Sequence, residues 1–415
     1  MRRQKILLML VILLLGALFS REPRLQRTEE IFLHWLIRNS TTQNKPVPLT
    51  IVELGGKTAA RQEDALDATE KFLRGSGRTN SPLEFALLIQ ALMEFKPTVV
   101  ALTPVLQWPE SSKDEQQVLV DQAMRMPKLL LASELTATPD PDAPVIEMPV
   151  FSNATSKHGD LMAFSGIARQ PAEDMRLIST AGALSPSREI GSDLHAPLLF
   201  QYRGDVIPSF ALQAAMLWLR LTPGEMKVDI GNSISLPDGK KIPLRRDGTV
   251  LINPNAARGA RRISLNALLL AAQQHERKLP TAIRLDDLSN QIVLVQTTNN
   301  PWETPDVLAA TIASIQTNSF VHRVSWIFDC IVLVIVVALS GWLQRFSRID
   351  LLLGAIAFSA AYAMIALTLF SRWNIWLPGF LPLGAVWAVV VFSLLLQKPK
   401  NSARTVAVAP SPPVP

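Results

Sequence analysis

The chain has 415 residues, of which 48% are hydrophobic, and a formal net charge of +6. That length exceeds one compact domain. Its cations flank apolar runs instead of forming a basic tract with interleaved aromatics, so nucleic acid is not an expected partner. The only cysteine is Cys330, which rules out an internal disulfide, and two tyrosines and five histidines leave little material for a hydrolytic or metal site.

At the N-terminus, Arg2, Arg3 and Lys5 precede an apolar run from Ile6 to Phe19. A basic flank and about 14 apolar residues have the form of a signal sequence. Cleavage after Ser20 would place Leu18 at the third position back, a poor small-residue match, so an uncleaved anchor over 1–20 is favoured over a cleaved signal. Residues 21–48 form a polar connector, with the patch Ile31 to Ile37 read as a juxtamembrane helix.

Residues 49–323 read as an α/β domain with a central mixed sheet. Leu49 to Leu54 is a short buried strand, Pro82 to Phe95 an amphipathic helix, and Thr98 to Thr103 a second strand, which together suggest a βαβ unit. Ser111 to Met126 is the next helix and Lys128 to Ala132 the next strand. Leu161 to Ile167 and Met175 to Ser179 read as strands of one hairpin. Pro208 to Leu221 is a helix, followed by short strands around Val228, Ser233, Lys241 and Val250. Pro237-Asp238-Gly239 and Arg246-Asp247-Gly248 are turn signals between them. A helix over Ser264 to Gln274, a strand over Asn290 to Thr297 and a helix over Pro305 to Asn318 complete the domain.

Residues 326–397 read as three transmembrane helices: Trp326 to Leu343, Leu351 to Phe370 and Trp376 to Leu396. Arg345 and Arg348 lie in the first turn, Lys398, Lys400 and Arg404 after the last span, and Trp373 and Trp376 beside the second turn. By the positive-inside tendency both termini are cytoplasmic and the α/β domain is outside. Ala355, Ser359 and Ala363 make a small-residue stripe on the second span, suited to close helix packing. Residues 398–415 read as a disordered cytoplasmic tail.

Few motifs carry chemistry. Gly55-Gly56-Lys57-Thr58 follows a strand like the end of a phosphate loop, but the required first glycine is Ile51, so a turn is the better reading. Asp193 with His195, and His158 with Asp160, lack the companions of a catalytic triad. Glu63, Asp64, Asp67 and Glu70 read as a solvated helix face and Asp329 as a snorkelling acid near a span's outer end. Thr298, Asn299 and Trp302 follow the last buried strand, where open α/β sheets gather ligands, and are the candidate ligand residues. The simpler reading of that segment is a Pro-rich loop with Trp302 as an anchor. No catalytic residue, metal site or cofactor is expected.

The order of these segments resembles the CHASE type-two family of bacterial extracellular sensory domains. The resemblance is carried by Val206 to Leu219, Ile242 to Pro254, Ile263 to Leu269, Asn290 to Thr298 and Glu303 to Asp306, and more loosely by Pro82 to Leu102. It implies a sensor in the bacterial inner membrane, with an anchor, an outer domain and three spans. The family's aspartate-containing turn and Trp-Pro-x-x-Arg segment are not evident in LGGKTA and GRTNSPLEF, and its acidic second-strand end and last-strand glycine are replaced by Thr103 and Gln296. The family generally adds a kinase, cyclase or similar output domain, whereas 398–415 is too short for one. The expectation is therefore a non-enzymatic sensor that passes a signal to a separate membrane or cytoplasmic signalling protein, with homo-oligomers an open option. The alternative is a structural or assembly subunit of an envelope complex; a periplasmic hydrolase ranks last.

Overall fold

Alternate residues of a strand point to opposite faces of its sheet, so a strand covered on both faces reads as an unbroken apolar run. In LTIVEL, Leu49 and Ile51 join one core cluster and Val52 and Leu54 another. The computed structural model describes residues 23–40, 46–54, 81–109, 111–138, 147–155, 160–185, 194–281, 288–297, 305–325, 327–328, 331–332, 334–335 and 348–396. The chain divides into two compact units, residues 41–322 and residues 1–40 with 323–415.

The described elements begin with α1 (Pro23–Asn39), β1 (Leu49–Leu54), α2 (Pro82–Phe95), β2 (Val99–Leu102), α3 (Lys113–Ala123) and β3 (Leu129–Thr136). Then come β4 (Ala163–Phe164), β5 (Gly166–Arg169), α4 (Glu173–Leu177), β6 (Thr180–Leu184), β7 (His195–Pro197), β8 (Leu199–Tyr202), β9 (Asp205–Pro208) and α5 (Phe210–Leu219). They continue with β10 (Lys227–Asp229), β11 (Ser233–Ser235), β12 (Lys241–Pro243), β13 (Thr249–Leu251), β14 (Arg261–Ser264), α6 (Leu265–Glu276), β15 (Ile292–Thr297) and α7 (Pro305–Thr317). In the second unit lie α8 (Arg348–Trp373) and α9 (Phe380–Leu396).

The first unit is built on a mixed sheet. Strands β14, β1, β15, β2, β3 and β6 run parallel in that spatial order. β5 pairs antiparallel with the last residues of β3. There Arg169 clamps the buried Glu134 with one edge of its guanidinium, Nε donating to Oε2 at 2.6 Å and Nη2 to Oε1 at 2.5 Å. Helices α2, α3 and α6 cover one face, bringing Phe85, Leu119 and Leu268 against Val100 and Val293. Helices α5 and α7 cover the other, bringing Phe210 and Ile312 against Val99 and Leu294.

Local chemistry explains where several helices begin. Ser81, Ser112, Ser209 and Ser264 each accept a backbone N–H from the first turn of α2, α3, α5 and α6, at 3.2 to 3.4 Å. Two glycines are fixed by their surroundings. Gly182 of β6 lies where an added Cβ would come 2.5 Å from the Phe210 ring. Gly248 has φ +76°, and a Cβ there would come 2.8 Å from the carbonyl of Leu199, so the expected turn admits no larger residue without a shift.

The structure corrects the expected hairpin. Met175 to Ser179 is not a strand: Met175 belongs to α4, and the strand starts at Thr180. Pro171 before the helix and Glu173 with Asp174 in its first turn favour a helical start. The partner expected over Leu161 to Ile167 is split into β4 and β5, and β4 pairs with β8 in a separate three-stranded sheet with β9. β7, β8, β9 and β14 are strands that the sequence pattern does not mark.

In the second unit, α8 supplies a segment, Ile349–Trp373, that is long and apolar enough to cross a membrane. α9 is shorter, at 17 residues, and begins at Phe380 rather than Trp376 because Pro378-Gly379 interrupts the run. Most of the expected first span, and the tail 398–415, lie outside the described residues. The connector does contain a helix, α1, whose buried Leu33 and Leu36 contrast with the exposed Ile31 and Trp35. Glu29 of α1 is buried and accepts the Gly379 N–H at 2.7 Å, at the start of α9. Between α8 and α9, the Arg323 guanidinium stands 5.3 Å from the Trp376 ring centroid and the Val324 N–H donates to the Trp376 carbonyl.

Candidate functional site

Ligands of open α/β sheets collect where neighbouring strands send their connections to opposite faces. β15 is such a strand. It lies between β1 and β2, and it is followed by α7 on one face while β2 is followed by α3 on the other. Thr298, Asn299 and Trp302, which follow it, lie outside the described residues. Gln296 is the penultimate residue of β15, 3% exposed, with an Oε1 that has no partner among the described residues. Beside it Thr103 donates both its N–H and its hydroxyl to the Val295 carbonyl, at 3.0 and 3.1 Å. Thr103 therefore ties the end of β2 to β15 in place of the acid expected there.

A formed cavity of about 350 Å³ lies elsewhere, at the β3–β6 edge of the sheet beneath α4. Leu131 and Ser133 of β3 and Ala181 of β6 form its floor, and Glu173 and Arg176 of α4 with Glu147 line its sides. Ser133 is 0% exposed and its hydroxyl has no partner among the described residues. The Nε of Arg176 is also buried there without a partner. An apolar floor with unpaired donors and mixed charges around it can hold a small polar molecule. No local motif announces this cavity, because its walls come from separate segments of the chain.

His195 stands on β7, half-buried, with its Nε2 2.5 Å from Nη1 of Arg245. Guanidinium can only donate, so the ring nitrogen accepts and the imidazole is neutral. Burial first, and then the Arg245 charge, push the His195 pKa down to about 4 against the opposing pull of Asp247. Asp193, His158, residues 55–58 and the acids from Glu63 to Glu70 lie outside the described residues, as does Asp329. Among the described residues no group of three or more His, Cys, Asp or Glu is placed to hold a metal ion.

On α8 the three small residues fall in different surroundings. Ala355 is buried in a cluster with Leu351 and Val390 of α9. Ser359 and Ala363 are half-buried, and the Ser359 hydroxyl has no partner among the described residues.

The mixed, mostly parallel sheet with helices on both faces defines the first unit as an α/β domain with a ligand-sized cavity. A family model for the CHASE2 domain matches residues 7–342, most of the chain, and the protein belongs to this family of extracellular sensory domains. The match starts within the first apolar run and ends within the first expected span. No curated protein and no solved structure matches the chain.

Proposed function

We propose that this protein is a membrane-anchored extracytoplasmic sensor whose α/β unit binds a signal outside the bacterial inner membrane. Its helices pass the resulting change to a separate membrane or cytoplasmic signalling protein. Both termini are cytoplasmic, the chain crosses the membrane more than once, and it catalyses no reaction. The observation that carries this reading is the CHASE2 match, which takes in the sensory unit together with apolar sequence on either side of it. The helix Ile349–Trp373 supports it, since Leu353, Ile356, Met364 and Ile365 expose apolar surface that suits lipid or another helix. Coupling needs two states of the outer unit that the signal favours unequally.

The test places cysteines one at a time at the exposed Asn39 and at Ser187, Ser347 and Ser402 in a Cys330→Ser background and labels intact cells with an impermeant thiol reagent. Labelling at positions 39 and 187 alone agrees with the proposed topology, and labelling at 347 or 402 defeats it. In the same cells, crosslinking and copurification should capture a membrane partner that is lost when Trp326 to Leu396 are replaced by unrelated spans. Retention of the partner through that swap would favour an envelope scaffold that makes its contacts with the outer surface.

A further inference from the structure

We infer that the cavity between β3 and α4 binds a small zwitterion, a free α-amino acid or an analogue with one carboxylate and one ammonium group. The inference rests on the sensory reading and names the class of signal. A volume of about 350 Å³ is at the small end of ligand sites, which suits a molecule of amino-acid size. Ser133 occupies a fully buried position of a core strand between Ala132 and Glu134, where an apolar residue would leave no hydroxyl to satisfy. Its Oγ and the Nε of Arg176 are two polar groups without partners among the described residues, and both residues line the cavity. A hydroxyl and a guanidinium N–H make a donor pair suited to a carboxylate.

The other charges decide what the carboxylate must be attached to. Glu147 and Glu173 line the same cavity. A plain anion would be repelled by these two acids, and a plain amine by Arg176. A molecule with both charges can turn its carboxylate to Arg176 and Ser133 and its ammonium to the acids. Leu177 of α4 lines the cavity while 80% exposed, so a ligand's aliphatic part has apolar surface to cover.

The experiment uses the full chain in nanodiscs and titrates it calorimetrically with each of the common amino acids. Acetate and methylammonium serve as single-charge controls. At least one amino acid should bind saturably, with both controls weaker by roughly tenfold or more. Arg176→Gln should weaken that binding by roughly tenfold or more. Ser133→Ala should weaken it severalfold while leaving thermal unfolding of the free protein unchanged, which keeps the test valid if Arg176→Gln fails to fold. Glu173→Gln should narrow the gap between the amino acid and acetate. Absence of binding by every amino acid overturns the inference, as does binding that Ser133→Ala and Arg176→Gln leave unaltered. Neither result touches the sensory reading itself, which fails on labelling and copurification instead.

Discussion

At the scale of single residues, His195 links stability of the first unit to pH. Its folded pKa is lowered from 6.5 to about 4 by burial and by Arg245. The unfolded chain then binds more protons than the folded one between those values. This contribution to stability is complete above pH 6.5 and is lost as pH falls towards 4. Allowing for the ring's partial exposure, the loss is on the order of 2 kcal/mol. Chemical unfolding at pH 7.5 and pH 4.5 should show a smaller drop for His195→Gln than for the natural chain; equal drops would remove His195 from the account. Gly182 is a steric case. Gly182→Val places branched carbon against Phe210 and should cost about 1–3 kcal/mol as overpacking. Urea unfolding measures this, and a pairing with Phe210→Leu should recover part of the loss if the ring is the obstacle.

Among the elements, α1 and α9 show what a connector can contribute. Backbone N–H groups at a helix start lack partners within their helix and carry partial positive charge. The Glu29 carboxylate supplies an acceptor to Gly379, 350 residues away in the chain. The phenol of Tyr362 in α8 donates to the neighbouring Pro378 carbonyl, so both polar groups of this break are engaged. Glu29→Ala should lower stability in detergent by about 2 kcal/mol, as expected for a buried hydrogen bond to a charged group. Glu29→Gln should lose less. Thermal inactivation of the purified full chain ranks the three, and equal midpoints would show that the contact contributes nothing. The same unit contains the stripe on α8, of which Ala355 packs on α9 through Val390.

For the whole molecule, the division at residues 40–41 and 322–323 predicts an independent folding unit. Its sheet is covered on both faces by helices that belong to the same unit, and its strands β1, β2, β3 and β15 are almost wholly buried. Thr41–His322 expressed alone should therefore unfold in one cooperative transition. A fragment with exposed apolar surface and no cooperative transition, measured by dye binding and circular dichroism, would show that the second unit is needed to complete the fold.

What could be read from the sequence was whatever short stretches encode by themselves. The apolar strands Leu49–Leu54, Val99–Leu102 and Ile292–Thr297 stand out because burial on both faces demands unbroken apolar runs. Helices α2, α5 and α7 are marked by their opening prolines or serines and their apolar content, and family membership by the ordered set of segments. Tertiary structure decided the rest. β14 pairs at the sheet's edge through Arg261 and Arg262, which carry no apolar signal, and α4, at five residues, is too short to show a helical period although Pro171, Glu173 and Asp174 mark its start. The expected ligand residues were placed by the rule for strand ends, and strand order confirms only that β15 lies at such a point. The cavity has no local signature: Ser133 and Arg176 look like an ordinary strand polar residue and an ordinary helix cation until β3, β6 and α4 bring them to one cavity. Local patterns fix secondary structure because their interactions span a few residues, whereas sites and buried polar contacts depend on pairings between segments that only packing selects.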